Sequence, residues 1–413
     1  MKDNELKRPS PAIHNTKVKN GGNIKILWSE YASYRRSVLN YIKDQLPEKP
    51  LVIYDPMAGT APLIPFVVAR GYTAFFNDIL PLHYYTNRAK TYQVCKCFRK
   101  YEFQWFRKEL LHCMSSLRKK HLCVSEKWID DQVLKGLIHS WKSAEGYDND
   151  IATLLKAVIL RCIRPLSSYT KSGNPTWFKI GGVSSNQSLS EIINESLTVF
   201  QRYFDGSYNS QSAPPNNKCI FYSQDAANLH LKSKADVIIT SPPYCNRLEY
   251  FVQYGPENYF LSQVGHPILP TDLTGTTKVR DYFSFAEDFK FVTNLSAYAN
   301  QLLNKIKKSP NPDDQSYYLK YYTRYFADIC RIFLGVIDNL SIKGKMYVVL
   351  QDNGHRGELI EIDRVLTSFF KKKDWHAKVI QTWEVHHLGL RNVSKNHAFV
   401  RRKQFEKILL VER

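Results

Sequence analysis

Two short apolar segments, each followed by a helical pattern, constrain the fold of this chain more than any other feature. Leu51–Tyr54 is suited to a buried parallel strand, and a glycine-bearing turn over 55–62 leads from it into a predicted helix over 63–70. A second strand is predicted over 73–76 and a second helix over 80–92. Because strands that alternate with helices along a chain form parallel sheets, this order predicts a doubly wound α/β fold.

The same alternation returns in the C-terminal half of the chain. Helical patterns are predicted over 257–265 and about 284–340. Further strands are predicted over 219–222, 236–240, 345–350, 377–383 and 407–411. The simplest architecture is one Rossmann-like, mostly parallel seven-stranded sheet, with a long insertion between its second and third strands.

The insertion follows a different pattern from the parts on either side of it. Residues 97–160 have helical periodicity and many basic side chains, and residues 165–187 are rich in loop-forming residues. We therefore expect four parts: a flexible arm (1–22), a first α/β half (23–95), a mainly helical inserted region (96–215), and a second α/β half with a helical excursion near 257–340 (216–413).

The charge of the chain indicates a polyanionic partner. The chain has 58 Lys and Arg residues against 38 Asp and Glu, a net charge of +20, which attracts nucleic acid or an anionic membrane surface. No apolar run approaches the ~20 residues of a membrane span, and the N-terminal residues lack the apolar core of a signal peptide. The eight cysteines have no zinc-finger spacing. We expect a cytoplasmic, nucleoid-associated protein without a metal.

The most specific pattern is an apolar strand, 236–240, that runs directly into Ser241-Pro242-Pro243-Tyr244. In open α/β sheets, ligands bind beyond the carboxyl ends of the strands. Two consecutive prolines fix φ and remove N–H donors, so the loop is stiff. It can aim the Ser241 hydroxyl and the carbonyl before the prolines at one point, where both accept hydrogen bonds from an exocyclic amine. Tyr244 offers a flat face on which a base can stack.

These acceptors suit one kind of chemistry. An amine on an aromatic base is a poor nucleophile, because its lone pair is delocalised into the ring. Two acceptors on its hydrogens favour a pyramidal nitrogen, and that stabilisation grows toward the transition state of a transfer to nitrogen. The simpler interpretation, in which the prolines only end the strand, loses favour beside the residues that follow the other strands.

Polar residues follow three of the other predicted strand ends. In the turn 55–62, small residues allow a close approach to an adenosine or a carboxylate, and backbone amides at the helix start face the ligand. Asp78 ends the second strand, where a carboxylate commonly binds ribose hydroxyls. Asp225 follows the third and is placed to accept from an adenine amine. For both acids a solvated surface position is the alternative.

The first of these loops resembles that of the amino-methyltransferases, which modify exocyclic nitrogens of DNA bases with S-adenosylmethionine. That family has an Asp-Pro-Phe-x-Gly-Ser-Gly-Thr cofactor loop, which Asp55–Pro62 resembles. Met57 replaces the usual Phe, Gly59 is kept, and Ala61 and Pro62 stand where Gly-Thr is usual. The resemblance implies that S-adenosylmethionine is bound by Asp55, Pro56, Met57, Ala58, Gly59, Thr60, Asp78 and Asp225.

Two further stretches carry the resemblance. Residues 77–81 are similar to an acidic–Ile–Asn–Pro stretch of the family, and the helix that follows contains Asn87-Arg88-Ala89-Lys90. Residues 241–244 match the catalytic motif in the form usual for cytosine-N4 enzymes, whereas adenine-N6 enzymes usually begin it with Asp or Asn. The resemblance covers about 30–95, 218–262 and 340–413 and implies a class I methyltransferase fold. The catalytic residues it implies are Ser241, Pro242, Pro243 and Tyr244.

The order of the two motifs resembles the arrangement in which target recognition lies between them, so the inserted region is the candidate for sequence reading. A patch over 167–179 mixes aromatic, small polar and lysine residues, which can contact base edges and phosphates. An ordinary surface loop is the alternative. After the catalytic loop, residues 247–254 either line a base pocket or form a helical core stretch around Tyr250. The candidate nucleic-acid-binding residues are Tyr169, Lys171, Asn174, Trp177, Lys179 and Arg247.

The resemblance implies a site-specific methyltransferase that acts on N4 of a flipped-out cytosine in double-stranded DNA. Such an activity is typical of restriction-modification and related defence systems, so a cognate nuclease or other defence component is compatible with it as a partner. Three alternatives stay open: an adenine-N6 DNA methyltransferase, an RNA amino-methyltransferase, and a non-catalytic protein that binds nucleic acid.

Overall fold

The computed structural model of the protein describes residues 36–117, 127–171, 178–182, 184–208, 218–245, 249–279, 284–355, 358–385 and 404–413. These residues form eleven strands: β1 (Val52–Asp55), β2 (Thr73–Asn77), β3 (Tyr169–Lys171), β4 (Phe178–Ile180), β5 (Lys218–Tyr222), β6 (Ala235–Thr240), β7 (Leu340–Gln351), β8 (Asn353–His355), β9 (Glu358–Ile360), β10 (His376–Val385) and β11 (Gln404–Glu412).

Thirteen α-helices lie in the same described ranges: α1 (Arg36–Asp44), α2 (Ile64–Ala69), α3 (Pro81–Arg88), α4 (Tyr92–Cys113), α5 (Asp131–Ala144), α6 (Asn149–Leu166), α7 (Leu189–Ser207), α8 (Tyr250–Gln253), α9 (Gly255–Gln263), α10 (Phe285–Leu295), α11 (Ala297–Lys307), α12 (Leu319–Ile337) and α13 (Ile362–Lys371).

The central sheet has the order β10-β11-β7-β6-β1-β2-β5. Strands β5, β2, β1, β6 and β7 are parallel, and β11 is antiparallel to both β7 and β10. Only one strand therefore opposes the others, since β10 runs in the same direction as β7. The predicted α/β fold with a mostly parallel, Rossmann-like seven-stranded sheet is confirmed at this level.

The chain reverses its direction of growth across the sheet between β1 and β6. It adds β2 and β5 on one side of β1, and then crosses to place β6 and β7 on the other side. In open α/β sheets, the gap beyond the carboxyl ends of two such strands is where ligands bind, because the loops there diverge. The fold therefore sets the position of a cleft before any side chain is considered.

Alternate side chains of the central strands belong to two different hydrophobic clusters. Ile53 and Ile239 pack with α1 to α7 on one face, whereas Tyr54 and Ile238 pack with α10 to α13 on the other. Because both faces are covered by helices, these strands are apolar along their whole length rather than alternating. This explains why short continuous apolar runs predicted them.

The insertion lies between β2 and β5 along the chain, which are the second and third strands of the sheet in chain order, as the sequence predicted. Its helices α4 to α7 share the hydrophobic cluster of one sheet face. Residues 165–187, expected to be loop-rich, include a short antiparallel hairpin of β3 and β4. Helices α7 and α13 and the β8–β9 hairpin were not predicted. The boundaries of the four parts stay predictions, and the arm 1–22 lies outside the described residues.

No helix in the described ranges is long and apolar enough to cross a membrane. Within the same ranges, His, Cys, Asp and Glu side chains form no group of three or more that could hold a metal ion. The seven described cysteines are free thiols.

Candidate active site

A cleft lies at the carboxyl ends of the strands, where the direction of the sheet changes. It contains about 910 Å³ of space, its open mouth included. Four loops form most of its wall: residues 56–60 after β1, 77–80 after β2, 224–226 after β5, and 241–243 after β6. The two loops with the most specific sequence patterns therefore meet in one cleft.

The loop after β1 turns tightly at its glycine. Gly59 has φ of +50° and Ala61 has φ of +44°, both in the left-handed region, and the amide of Ala61 donates to the carbonyl of Ala58 at 2.7 Å. Glycine adopts this conformation at no steric cost, whereas alanine is strained there. The turn places residues 56–60 and Pro62 on the wall of the cleft, just before α2 begins.

Asp78 holds this loop from the neighbouring strand. Its Oδ2 accepts a hydrogen bond from the amide of Gly59 at 2.8 Å, and its Oδ1 accepts one from the amide of Leu80 at 2.9 Å. Each carboxylate oxygen has a further lone pair that can accept from a ligand. Asp78 therefore has a structural role in addition to the ligand-binding role that the sequence predicts.

Asn77 links three of the loops. Its amide nitrogen donates to the carbonyls of Pro56 and Gln224, each at 3.0 Å, and its Oδ1 accepts from the amide of Gln224 at 3.1 Å. The side chain is buried, so these bonds are shielded from competing water. Asn77 thus sets the distance between the loops that follow β1 and β5.

Two buried side chains, one in the last turn of α3 and one just after it, hold the carbonyls of the loop after β1. The Asn87 amide nitrogen donates to the carbonyl of Gly59 at 2.7 Å. The Lys90 ammonium donates to the carbonyl of Thr60 at 2.5 Å and to Asn87 Oδ1 at 3.1 Å. The sequence placed residues 87–90 only in a helix that resembles one of the methyltransferase family, and nothing in their pattern indicated this role.

All the predicted cofactor residues except Asp55 are on the wall of the cleft. Asp55 is fully buried behind it, where its Oδ1 accepts from the amide of Met57 at 3.4 Å. Asp225 is exposed on the wall, where its carboxylate accepts from the amide of Ala227 and from the Asn228 side chain, both at 3.0 Å. Carboxylates therefore line two sides of the cleft.

The loop after β6 presents Ser241, Pro242 and Pro243 to the cleft, but Tyr244 is turned inward. Tyr244 is 7% exposed and does not belong to the wall. Ser241 Oγ donates to Tyr244 Oη at 3.3 Å, and Tyr244 Oη donates to Oε1 of the buried Glu406 at 3.3 Å. Burial, together with the nearby Glu406 carboxylate, raises the pKa of Tyr244 well above its usual value.

Two contacts fix the carbonyls of this loop from outside. Tyr325 Oη on α12 donates to the carbonyl of Pro243 at 2.7 Å, and the Asn353 side chain at the start of β8 donates to the carbonyl of Cys245. Burial raises the pKa of Tyr325 well above its usual value, so it keeps the proton that it donates.

Tyr250, at the start of α8, belongs to the wall of the cleft. The sequence left open whether this residue lines a pocket or packs in a core. Residues 272–274 complete the wall beside it, and they lie next to a turn that the buried Glu249 carboxylate holds. Glu249 Oε2 accepts from the amide and the hydroxyl of Thr277, each at 2.8 Å. Sequence reasoning did not find residues 272–274, which have no motif of their own.

Three of the predicted nucleic-acid-binding residues, Tyr169, Lys171 and Lys179, lie on the β3–β4 hairpin. Lys179 is exposed, and the Tyr169 ring meets Phe178 edge to face with centroids 5.1 Å apart. None of the three is on the wall of the cleft, although β4 lies against α8, which begins at Tyr250. The other three, Asn174, Trp177 and Arg247, lie outside the described residues.

No model of a known protein family matches this chain, and no curated protein matches it at a significant level of similarity.

Proposed function

We propose that the protein binds S-adenosylmethionine in this cleft and transfers its methyl group to the exocyclic N4 of a cytosine flipped out of double-stranded DNA. The observation that carries the proposal is the meeting of the two motif loops, 56–60 and 241–243, at the point where the sheet changes direction. The mostly parallel seven-stranded sheet supports a class I methyltransferase fold, which the resemblance in sequence implies.

The residues of the cleft fit an adenosine with an amino-acid tail. Asp78 and Asp225 offer carboxylate oxygens to hydroxyl and amine groups, and Ile79, Leu80 and Ala226 offer apolar surface for a flat ring. The turn at Gly59 has little side-chain bulk, so a ligand can approach its backbone closely. When bound, S-adenosylmethionine supplies an electrophilic methyl group on a positively charged sulfur.

The chain's own residues then position the acceptor. The Ser241 hydroxyl and the carbonyl before Pro242 accept hydrogen bonds from the two hydrogens of the amine, and the prolines keep both acceptors in place. Tyr250 presents an aromatic ring on the wall against which a flipped base can stack. The net charge of +20 supports a nucleic-acid substrate, because it favours contact with phosphates.

Product analysis tests the proposal. Purified protein is incubated with duplex DNA of mixed sequence and methyl-labelled S-adenosylmethionine, and the DNA is digested to nucleosides. We expect label in N4-methylcytosine. In S241A, loss of one acceptor that stabilises the transition state should lower the rate by about 10²- to 10³-fold. S316A is the matched control, since Ser316 is exposed and is not on the wall of the cleft.

The other products identify the alternatives. Label in N6-methyladenine keeps the mechanism and changes the base. Label in structured RNA, with none in duplex DNA, changes the polymer. Absence of label in every substrate, together with no binding of S-adenosylmethionine by calorimetry, contradicts the proposal and favours a non-catalytic nucleic-acid-binding protein.

A further inference from the structure

The hydrogen bonds of the catalytic loop run away from the cleft. Ser241 is on the wall and donates to Tyr244, and Tyr244 donates to Glu406, with both oxygen–oxygen distances 3.3 Å. Because the Ser241 proton points inward, the lone pairs of its oxygen are left for a group in the cleft. Ser241 and Tyr244 therefore join the cleft to the Glu406 carboxylate, which is 2% exposed.

We propose that Glu406 is the final proton acceptor of the reaction, reached from the substrate amine through Ser241 and Tyr244. The proposal rests on the proposed function. Glu406 does not contact the cleft, so it is a positioning residue that acts through Tyr244. The relay gives Tyr244 a role that its inward orientation allows. The ring that is available on the wall for stacking on a base is that of Tyr250.

The proton balance is complete within these three residues. Formation of the N–CH3 bond and cleavage of the methyl–sulfur bond leave the amine nitrogen with one proton in excess. That proton passes to Ser241 Oγ, the Ser241 proton passes to Tyr244 Oη, and the Tyr244 proton passes to Glu406. Ser241 and Tyr244 end neutral, as they began, and the carboxylate becomes a carboxylic acid. The reverse transfers, to water in the cleft after product release, restore the carboxylate.

The position of Glu406 on the sheet is consistent with an acceptor of this kind. In the register of β11, Glu406 is opposite Gln351 of β7 and Trp383 of β10, which carry no charge and share its face. The next residue, Lys407, points to the opposite face and is held there by Asp352 and Asp363. Proton transfer along these hydroxyl groups requires that each oxygen–oxygen distance shorten from 3.3 Å to the usual range of O–H···O bonds, a movement that side-chain rotation can supply.

The described titratable groups near this path include two further tyrosines and Cys245. Tyr250 lies close enough to Tyr244 to raise its pKa, and Tyr244 in turn raises the pKa of Tyr325. Tyr325 donates to the carbonyl of Pro243 rather than to the path. At neutral pH, Tyr244 keeps its proton because burial and the Glu406 carboxylate both raise its pKa. A neutral phenol can receive and pass on a proton at the same time, as a relay requires.

Glu406→Gln tests the proposal, because glutamine can still accept from Tyr244 but cannot take up a proton at this pH. We expect kcat to fall by about 10²-fold, with the KM for DNA and the Kd for S-adenosylmethionine, measured by calorimetry, within about twofold of wild type. Glu412→Gln, on the same strand, is the matched control.

Tyr244→Phe removes the hydroxyl between Ser241 and Glu406 and so breaks the same path, while the Glu406 side chain itself is unchanged. It should lower kcat by a similar factor, and the double variant should lose no more than either single one, because the residues act as a unit. Glu406→Asp should recover part of the activity. The infrared difference spectrum of wild type against E406Q at neutral pH should contain a carboxylate band.

The outcomes separate the two proposals. Where the wild type transfers a methyl group, three results would each overturn the relay alone. They are a kcat of E406Q equal to that of the wild type, losses of kcat in the two single variants that multiply in the double variant, and a protonated carboxyl band at neutral pH. A wild-type protein that transfers no methyl group to any nucleic acid overturns the proposed function and the relay with it.

Discussion

The two loops that meet in the cleft are held in different ways. The loop after β1 takes its shape from outside: Asp78 binds the amide of Gly59, Asn87 binds its carbonyl, and Lys90 binds the carbonyl of Thr60. The loop after β6 has much of its stiffness in its own sequence, since Pro242 and Pro243 fix two consecutive φ angles.

This difference explains how the first loop can depart from the pattern that it resembles. When a turn is held by side chains on the next strand and helix, its own residues are less restricted, and Met57, Ala61 and Pro62 can replace the usual ones. The second loop has no such freedom, because its shape is lost with its prolines. The external supports of the first loop should therefore be more costly to remove than those of the second.

Removal of a support from the first loop should have the largest effect. In Asp78→Asn, the new amide group faces one of the two backbone N–H donors that the carboxylate now binds. We expect the free energy of unfolding to fall by about 2 kcal/mol, because a charge-assisted bond is lost and a partly buried donor is left without a partner. Urea unfolding measures this change, and binding of S-adenosylmethionine should weaken with it.

Asp225→Asn is the matched control for that variant. Like Asp78, Asp225 accepts a hydrogen bond from the amide two residues further along the chain, here that of Ala227 at 3.0 Å, but the Asp225 side chain is exposed. Water can replace the lost bond there, so the free energy of unfolding should change by less than about 0.5 kcal/mol. Equal losses in the two variants would show that the bond to Gly59 contributes nothing special to the first loop.

Removal of a support from the second loop should have a smaller effect. Tyr325→Phe deletes the hydroxyl that donates to the carbonyl of Pro243 at 2.7 Å. We expect a loss of about 1 kcal/mol in the free energy of unfolding, as for one neutral hydrogen bond. The rate of methyl transfer should change little, because the prolines still fix the loop.

Tyr298→Phe, which deletes a hydroxyl that donates to the carbonyl of Leu359 at 3.3 Å away from the cleft, is the control for stability. A rate for Tyr325→Phe as low as that of S241A would reverse the comparison. It would mean that the second loop also takes its active shape from outside.

Much of the fold was predictable because its signals are local. Short, largely apolar runs marked the seven strands of the sheet, and the alternation with helices fixed the position of the insertion and the meeting of the loops in one cleft. Helix α13 was not predicted although it is amphipathic, with Val365, Leu366 and Phe369 buried, because its 10 residues make fewer than three turns and repeat the helical pattern only briefly.

Much of the site was not predictable, because its contacts join residues that are far apart in the sequence. Tyr244 and Glu406 are 162 residues apart, and the acid lies at the edge of a predicted strand with no motif around it. The inward turn of Tyr244 depends on that contact, so the sequence could suggest an aromatic face but not its direction. Tyr250, which is on the wall, has the helical spacing of a core residue and was left undecided.

The smallest effect, and the sharpest test of external support, concerns Ala61. Its φ of +44° strains an alanine by about 1 kcal/mol, which the bonds to the rest of the loop must offset. Ala61→Gly removes this strain but also a fully buried methyl group, and it makes the unfolded chain more flexible. The opposing effects should nearly cancel, so that the free energy of unfolding changes by less than about 1 kcal/mol.

Ala58→Gly is the matched control, because Ala58 is also buried in this loop but has no positive φ. It loses its methyl group with no relief of strain and should therefore be the less stable of the two variants by about 1 kcal/mol. Equal stabilities would mean that the turn at Ala61 is not strained, and the supports from Asp78, Asn87 and Lys90 would then have no strain to offset.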